Sequence, residues 1–290
     1  MLNQLQLVQP DTVEEASSAL AELGERAKVY AGGAELLLLF RNGLLDAEIL
    51  VDVKKIARLH GINSQEDLLR IGACATHHGL ERSELLGAHA PAFAYAESQV
   101  ANVRVRNQGT LGGNLAFNDP HSDPATVLLI HDAWVSIANR QGERSMALSD
   151  FLVDMYATAL GPGDLLLEIN VPRLPPGMKS GYWRLHRYQR PTLGVAVGIT
   201  TSGGALDEVR LAVGCAGPKA ERLRELETKL KGATLADARQ IVAGEKSYLR
   251  ARLRPLDDLL GSAEYKLYMA GVMLTNAIGE AGRERNGSRA

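Results

Sequence analysis

Hydrophobic positions near the start of the chain follow first a helical spacing and then an alternating one. In residues 7–23, LVQPDTVEEASSALAEL, apolar side chains recur three and four positions apart, which predicts a helix with Asp11 as its N-cap and an end near Gly24. The segments AKVYAGG (27–33) and AEILVDVKKI (47–56) have the short apolar patterns of strands. Together these segments predict a β-α-β unit with a double-glycine turn at its centre.

The middle of the chain predicts a strand, two helices and a glycine-rich loop. The strand is LLRIGACAT (68–76), and residues 77–102 have a helical character that Pro91 divides in two, because proline disrupts a helix interior. Residues 104–124, RVRNQGTLGGNLAFNDPHSDP, have no clean periodicity and contain several glycines and prolines. We therefore expect an ordered loop there.

The rest of the pattern indicates a second domain. Strands are predicted at AWVSIAN and LLLEINVP, after which the proline- and glycine-rich segment RLPPGMKSGYWR marks a domain boundary near residue 175. Beyond it, VAVGIT and EVRLAVG predict neighbouring antiparallel strands, followed by a polar helix over about 219–231 and an amphipathic one over about 263–281. An α+β fold, in which helices cover small sheets, satisfies this order.

Composition and charge exclude several classes of function. The chain has 290 residues and a formal net charge of −2, so it has no long-range attraction for nucleic acid. Its two cysteines have no metal-binding spacing, and no apolar run approaches the ~18 residues of a membrane span. The start, MLNQLQLVQP, has no signal-peptide pattern, so we expect a cytoplasmic protein. The seven histidines are expected on the surface or in turns.

Two glycine-rich segments carry the candidate chemistry. In KVYAGGAEL (28–36) and NQGTLGGNLAFNDPHSDP (107–124), glycines leave backbone N–H groups open to an anionic phosphate. In the second segment, Thr110 and Asn114 can donate side-chain hydrogen bonds, and Asp123 can accept from ribose hydroxyls. A plain turn or a structural loop explains either segment alone. Two anion cradles about 80 residues apart instead suit a dinucleotide, whose pyrophosphate can be held from both sides.

These segments also resemble a known family. YAGGAEL and RNQGTLGGNLAFNDPHSDP are similar to the two flavin-binding loops of the FAD subunits of molybdenum hydroxylases. The segments IGACAT, LSDFLVDMYATAL, DLLLEINVP, GYWRLHRYQRP and GCAGPKAERLRELE fit the same family, in the same order. The resemblance thus spans nearly the whole chain, whereas the GxGxxG and GK[ST] fingerprints of NAD and ATP sites are missing.

The resemblance implies a fold with two domains. Residues 1–175 would form a PCMH-type FAD-binding domain, similar to vanillyl-alcohol oxidase, with α+β subdomains of about 1–55 and 56–175. Residues 176–290 would form a C-terminal domain like that of the CO dehydrogenase flavoprotein, with a small antiparallel sheet and helices. The FAD would lie extended between them.

Residue by residue, the resemblance also implies a binding site. The first loop would hold the pyrophosphate through its backbone amides, and the second loop would face it. Asp123 corresponds to the acidic residue that follows the second loop. Leu166 corresponds to an apolar position beside the flavin. The implied cofactor-binding residues are Val29, Tyr30, Ala31, Gly32, Gly33, Ala34, Glu35, Leu36, Thr110, Leu111, Gly112, Gly113, Asn114, Asp123, Leu166 and Arg184. No catalytic or metal-ligating residue is implied.

The position near the flavin ring departs from the family. Arg184 stands where the family often has lysine, and the usual GD or DD pair that follows is replaced by RLHRYQRPT. Arg184, His186 or Tyr188 could each supply the contact to the ring, and a cation there would stabilise the reduced flavin.

The resemblance implies an electron relay rather than a hydroxylation site. A large molybdopterin-binding subunit would hydroxylate the substrate, a small subunit would hold two 2Fe-2S clusters, and FAD in this chain would pass electrons to an acceptor, in a dimer of heterotrimers. Two other functions are open: a stand-alone flavoenzyme of the same fold, and a non-catalytic nucleotide-binding assembly protein.

Overall fold

The computed structural model describes residues 5–187 and 189–282. A small parallel sheet forms its N-terminal part. Its elements are β1 (Gln6–Val8), α1 (Val13–Leu23), β2 (Ala27–Tyr30), α2 (Leu36–Arg41) and β3 (Ile49–Asp52). The strand order is β1-β3-β2, and both pairs are parallel. All four residues of β3 are buried, as expected for the central strand of a covered parallel sheet. The predicted β-α-β unit is confirmed.

The start of α1 differs from the prediction by one residue. The N-cap is Thr12, not Asp11, because the Thr12 hydroxyl accepts from the backbone N–H of Glu15 at 3.1 Å. The Glu15 carboxylate in turn accepts from the backbone N–H of Asp11 at 2.9 Å. The helix ends before Gly24, whose φ of 56° suits glycine.

A five-stranded antiparallel sheet and a layer of short helices follow. The strand order is β4-β5-β10-β6-β7, and the residues of this part that fill the core lie between the sheet and the helices. The elements are β4 (Ile62–Gln65), β5 (Leu68–Gly72), α3 (His77–Glu81), α4 (Glu84–His89), α5 (Pro91–Gln99), α6 (Val103–Gln108), α7 (Leu111–Phe117), α8 (Pro124–Ile130), β6 (Trp134–Asn139), β7 (Gly142–Ala147), α9 (Leu148–Phe151), β8 (Leu152–Asp154), β9 (Ala157–Thr158) and β10 (Leu165–Pro172).

The helical content of residues 77–124 exceeds the prediction. Residues 77–102 contain α3, α4 and α5 instead of two helices, although Pro91 does begin α5. The segment 104–124 is not a loop: it holds most of α6 and all of α7. Thr110 caps α7 by accepting from the backbone N–H of Gly113 at 3.1 Å, which offsets the poor helix propensity of the two glycines.

A four-stranded antiparallel sheet, backed by helices, forms the C-terminal part. The strand order is β11-β12-β13-β14, and the predicted hairpin of β12 and β13 turns at Gly203 and Gly204, which both have positive φ. The predicted polar helix starts only at Arg224, because Glu221 and Arg222 pair with β13. The elements are β11 (Lys179–His186), β12 (Pro191–Ser202), β13 (Ala205–Gly214), β14 (Glu221–Arg222), α10 (Arg224–Leu230), α11 (Leu235–Gly244), α12 (Lys246–Leu253) and α13 (Ala263–Gly282).

The C-terminal sheet packs on two helices of the preceding part: α8 contacts β12 and β13, and α5 contacts β11. At the carboxyl end of α8, Arg222 donates to the carbonyl oxygen of Leu129 at 2.7 Å, and Arg210 donates to that of Ile130 at 3.1 Å. Both arginines, and Arg224, also contact Asp132. The α8 seam, as we call it, consists of Leu129, Ile130, Asp132, Arg210, Arg222 and Arg224. It places three arginines at the carboxyl end of a helix, an arrangement that the helix dipole favours.

The expectation that the histidines lie on the surface or in turns is wrong at two positions. His77 and His89 are buried within helices, and His131 is in a turn but is also buried, because tertiary packing encloses all three. His131 has its Nδ1 2.8 Å from the carbonyl oxygen of Pro172. Among the residues described, no helix has both the length and the apolar character needed to cross a bilayer.

Candidate functional site

A cavity of about 500 Å³ lies where the two glycine segments meet the C-terminal part. Its size is within the roughly 300–1,000 Å³ range of cofactor pockets. Of the residues predicted from the sequence, it is lined by Val29, Ala31, Gly32, Gly33, Ala34, Glu35, Leu36, Thr110, Gly112, Gly113, Asn114, Asp123 and Leu166. Tyr30, Leu111 and Arg184 are not among the lining residues. The fold thus brings most of the predicted site together.

The two glycine segments pack directly on each other and on the sheet. A Cβ atom on Gly32 would lie 2.1 Å from the carbonyl oxygen of Gln108, and one on Gly112 would lie 2.5 Å from the Cβ of Ala73. Both distances are far below van der Waals contact. The glycines are therefore required by the approach of protein backbone to protein backbone, and this approach shapes the cavity wall.

The first segment offers free backbone donors. The amides of residues 32–35 make no hydrogen bond to any residue that the structure describes. Gly33 has a φ of +71°, and α2 starts directly after Glu35. Successive unpaired N–H groups in such a turn form a concavity that binds anions. The backbone expectation for the first loop is consistent with this geometry.

The second segment has its backbone donors already occupied, contrary to our expectation. The N–H of Gly109 donates to the carbonyl oxygen of Val105 at 2.6 Å, and that of Gly112 to Ala73 at 2.9 Å. The N–H of Gly113 is taken by the Thr110 hydroxyl. Asn114 accepts from the Ser122 hydroxyl at 2.6 Å through Oδ1, which leaves its NH₂ group to donate. Side chains, not amides, are therefore the donors of this segment.

Asp123 is a buried carboxylate with two partners of its own. The Tyr182 hydroxyl donates to its Oδ1 at 2.6 Å, and the Nε of Arg184 lies 2.9 Å from the same oxygen. Burial raises the pKa of Asp123 to about 6, and the nearby Arg184 cation works in the opposite direction. One of its carboxylate oxygens is thus committed to the protein, although Asp123 also lines the cavity.

Of the three residues predicted near the flavin ring, Arg184 and His186 do not line the cavity. The Arg184 side chain is only 7% exposed and is held by Asp123, while His186 is exposed and Tyr188 lies outside the described residues. Arg190 instead lines the cavity, with its Nη2 3.0 Å from Asp119 and 3.9 Å from Glu35. It links the start of β12 to both glycine segments.

Several lining residues were not found from the sequence. Besides Arg190, the cavity wall includes Lys28, Cys74, His77 and His121. His121 has its Nδ1 2.9 Å from the carbonyl oxygen of Pro191 and its Nε2 3.1 Å from Asp258. Lys28 and His121 lie within the two glycine segments, but no residue pattern there singled them out as part of a site, and the tertiary fold brings Cys74 and His77 to the same cavity. Leu166 lies in β10, beside a break in the register with β6.

Comparisons with known proteins identify the two parts of the chain. Residues 3–174 match the family described as the FAD binding domain in molybdopterin dehydrogenase, and residues 186–281 match the CO dehydrogenase flavoprotein C-terminal domain. The carbon monoxide dehydrogenase medium chain of Hydrogenophaga pseudoflava is 31% identical over 274 residues, which are 94% of this chain and 95% of that one. The alpha subunit of the 6-hydroxypseudooxynicotine dehydrogenase complex of Paenarthrobacter nicotinovorans is also 31% identical, over 93% and 92% of the chains.

The fold agrees with a solved structure over almost its whole length. A chain of the reconstituted CO dehydrogenase from Oligotropha carboxidovorans superimposes with a TM-score of 0.92 at 30% identity, over 97% of this chain and 99% of that one. The α+β, PCMH-type fold expected from the sequence is confirmed. The chain therefore belongs to the family of FAD-binding medium subunits of molybdenum hydroxylases, which are components of oxidoreductase complexes.

Proposed function

We propose that this chain is the electron-transfer subunit of a heteromeric molybdenum hydroxylase. Bound FAD would supply the redox chemistry, receiving electrons from iron-sulfur clusters of a partner and releasing them to an external acceptor. The role of the chain itself is to bind the cofactor, orient it and set its surroundings. The observation that supports this proposal best is the cavity, because free amides of the first glycine segment and side-chain donors of the second face the same space.

We assign the site residues according to the atoms that remain available. The amides of residues 32–35 would bind the pyrophosphate, with the Thr110 hydroxyl and the Asn114 amide group opposite. Asp123 would accept from the ribose through the oxygen that does not contact Tyr182, and Leu166 would pack beside the flavin. Val29, Tyr30, Leu36 and Leu111 would support the two segments.

For the cation near the flavin ring, Arg190 is better placed than Arg184. Arg184 is enclosed by Asp123 and would act through that carboxylate, whereas Arg190 lines the cavity itself. A guanidinium beside the ring would favour the reduced, anionic flavin.

The domain division and the assembly are further parts of the proposal. We place the boundary near residue 175, with subdomains of about 1–55 and 56–175, and the ends of the two family matches at 174 and 186 support it. The partners would be a large molybdopterin subunit and a small 2Fe-2S subunit, in a cytoplasmic dimer of heterotrimers. Support comes from relatives that are named as medium chains or as subunits of a dehydrogenase complex.

An absorption spectrum of the purified chain tests the core of this proposal. We expect flavin bands and, after denaturation, one FAD per chain. Affinity purification of the tagged chain from its native cells should also recover one larger subunit containing molybdenum and one smaller subunit with the spectrum of 2Fe-2S clusters. FAD without partners would favour the stand-alone flavoenzyme. A colourless chain that fails to take up added FAD would refute the proposal and favour the assembly protein.

A further inference from the structure

A buried pair of ionisable side chains lies beneath the second glycine segment. His77, the first residue of α3, is 2% exposed, and Glu97, in α5, is fully buried. The Nδ1 of His77 is 2.6 Å from Oε2 of Glu97. The other carboxylate oxygen, Oε1, has no hydrogen-bond partner in the described part of the chain. The pair is thus separated from solvent, and His77 is the only hydrogen-bonded contact that the Glu97 carboxylate makes there.

The hydrogen bond to Glu97 determines which nitrogen of His77 is available to a ligand. A fully buried carboxylate without a hydrogen-bonding partner is strongly disfavoured, so Nδ1 of His77 is committed to Glu97. Nε2 is therefore the ring nitrogen that remains. When it carries a proton, it is a hydrogen-bond donor that suits a phosphate oxygen.

That donor is at the cavity and has no protein partner. The His77 ring lines the cavity, and its Nε2 makes no hydrogen bond to a residue within the described ranges. The backbone N–H of His77 donates to the carbonyl oxygen of Gly109 at 3.1 Å, and a Cβ on Gly109 would lie 3.5 Å from Nε2. A Cβ on Gly32 would lie 2.9 Å from the Cα of Gly109. His77 is therefore next to the place where the two glycine segments touch.

We propose that His77 is a further cofactor-binding residue, which donates a hydrogen bond from Nε2 to the pyrophosphate of the bound dinucleotide, while Glu97 positions it. This inference depends on the proposed function, because it takes FAD as the occupant of the cavity. The pyrophosphate is the part of FAD that suits the position, since the free amides of the first segment approach the same junction from the other side.

Two isosteric variants separate this role from a purely structural one. The amide nitrogen of asparagine lies about where Nδ1 of histidine lies, and that of glutamine about where Nε2 lies. His77→Asn keeps the bond to Glu97 and loses the donor at the cavity, whereas His77→Gln does the opposite. We expect His77→Asn to raise the Kd for FAD by about tenfold to a hundredfold, the effect of losing a hydrogen bond to a charged group. Its melting temperature without cofactor should stay near that of the wild type.

The glutamine variant should show the reverse pattern. We expect His77→Gln to bind FAD within about threefold of the wild type, and to melt earlier because Glu97 has lost its partner. If His77→Asn binds FAD as tightly as the wild type does, or if His77→Gln is weakened to the same extent as His77→Asn, the inference is wrong. Should His77→Asn fail to fold, the Kd of His77→Gln alone decides between these outcomes.

Competition with ADP identifies the part of the cofactor that is contacted. ADP has the pyrophosphate but no flavin, so His77→Asn should weaken ADP and FAD by similar factors. A variant that weakens FAD alone would overturn the pyrophosphate contact. If the wild-type chain binds neither FAD nor ADP, the proposed function fails first, and this result is distinguishable from the failure of His77.

Discussion

At the scale of single residues, Asp123 combines a position in the cavity wall with a structural role. Arg184 is 7% exposed and its Nε lies 2.9 Å from Asp123, so the carboxylate is the counter-charge of a buried cation. Removal of that carboxylate would leave the guanidinium buried and unpaired. Loss of FAD in an Asp123 variant therefore has two possible origins, the ribose contact and the local structure, and stability measurements separate them.

We expect Asp123→Ala to lower the free energy of unfolding of the cofactor-free chain by about 3–5 kcal/mol, as breaking a buried ion pair does. Tyr182→Phe is the matched control, since it removes one hydrogen bond to the same oxygen and should cost about 1–2 kcal/mol. Urea unfolding followed by circular dichroism measures both. Equal losses in the two variants would show that Arg184 does not depend on Asp123.

The buried His131 should make stability depend on pH. Burial lowers its pKa from 6.5 to about 4, even though its Nδ1 contacts the carbonyl oxygen of Pro172. Between these pH values the unfolded chain binds the proton and the folded chain does not, so stability falls as the pH falls from 6.5 towards 4. The full decrease in the free energy of unfolding is on the order of 3 kcal/mol. Asp123, with its pKa raised from 3.8 to about 6, acts in the opposite direction over an overlapping range.

His131→Asn isolates the histidine contribution, because asparagine can still donate to Pro172 and does not titrate between pH 4 and 7. Unfolding free energies at half-unit intervals over this range should fall less steeply towards acid in the variant than in the wild type. Parallel curves would show that His131 is not the group responsible. The absolute stability of the variant does not enter the comparison.

At the scale of elements, the glycine segments show why glycine occurs at positions that shape a cavity. Gly32→Ala would place a Cβ 2.1 Å from the Gln108 carbonyl oxygen and push the two segments apart, at a cost of about 1–3 kcal/mol or more. We expect this variant to retain less FAD and to have a lower melting temperature than the wild type. Gly87→Ala is the matched control: its Cβ would meet nothing within 4 Å, and in α4 it should stabilise the chain by about 0.5–1 kcal/mol. FAD content and thermal melting of both variants measure the difference, and a Gly32→Ala variant that keeps its FAD would contradict it.

The same elements show where sequence patterns were sufficient. Apolar periodicity identified β2, β3 and the β12–β13 hairpin, because strands with one or two buried faces repeat a local pattern. It missed α7, whose two glycines are tolerated only because Thr110 caps the helix and Gly112 packs against Ala73. That packing comes from residues nearly 40 positions away in sequence.

In the candidate site, the glycines could be recognised from the sequence, whereas the contacts between side chains of different elements could not. Gly32, Gly33, Gly112 and Gly113 could be recognised because two glycine-rich segments in one chain suit the pyrophosphate of a dinucleotide, although the second pair lies in α7 and not in a loop. His77 could not, since its function depends on Glu97 in another helix, and nothing in the sequence indicates that α3 and α5 are neighbours. Arg190 was missed for a similar reason, because its partners Asp119 and Glu35 belong to distant segments.

At the scale of the whole molecule, the cavity needs both the N-terminal segments and the C-terminal sheet. Gln189, Arg190 and Pro191 complete a wall that the glycine segments begin. The position of this wall relative to the loops depends on the α8 seam, since α8 follows Asp123 at the cavity and ends at the seam arginines. Cofactor retention and the docking of the two parts should therefore be coupled.

Arg222 and Arg224 provide a matched pair to test that coupling. Both contact Asp132, at 3.1 and 2.6 Å, but the Arg222 side chain is 5% exposed and that of Arg224 is 65% exposed. Arg222→Met would take the guanidinium away from the carbonyl of Leu129 and from the carboxylate of Glu227, which would keep only backbone N–H donors, so it should lower the free energy of unfolding by about 3 kcal/mol. Arg224→Met removes a solvent-screened pair and should cost less than about 1 kcal/mol.

The denaturant dependence of FAD release shows whether the seam positions the cavity. In the Arg222→Met chain, FAD fluorescence should appear at a lower urea concentration than in the wild type, and together with the loss of helix signal, because the cavity wall and the seam unfold as one unit. Arg224→Met should release FAD at the wild-type midpoint. If Arg222→Met unfolds early but keeps FAD until a later transition, then the N-terminal segments hold the cofactor without the C-terminal sheet, and the wall formed by residues 189–191 is not needed for retention.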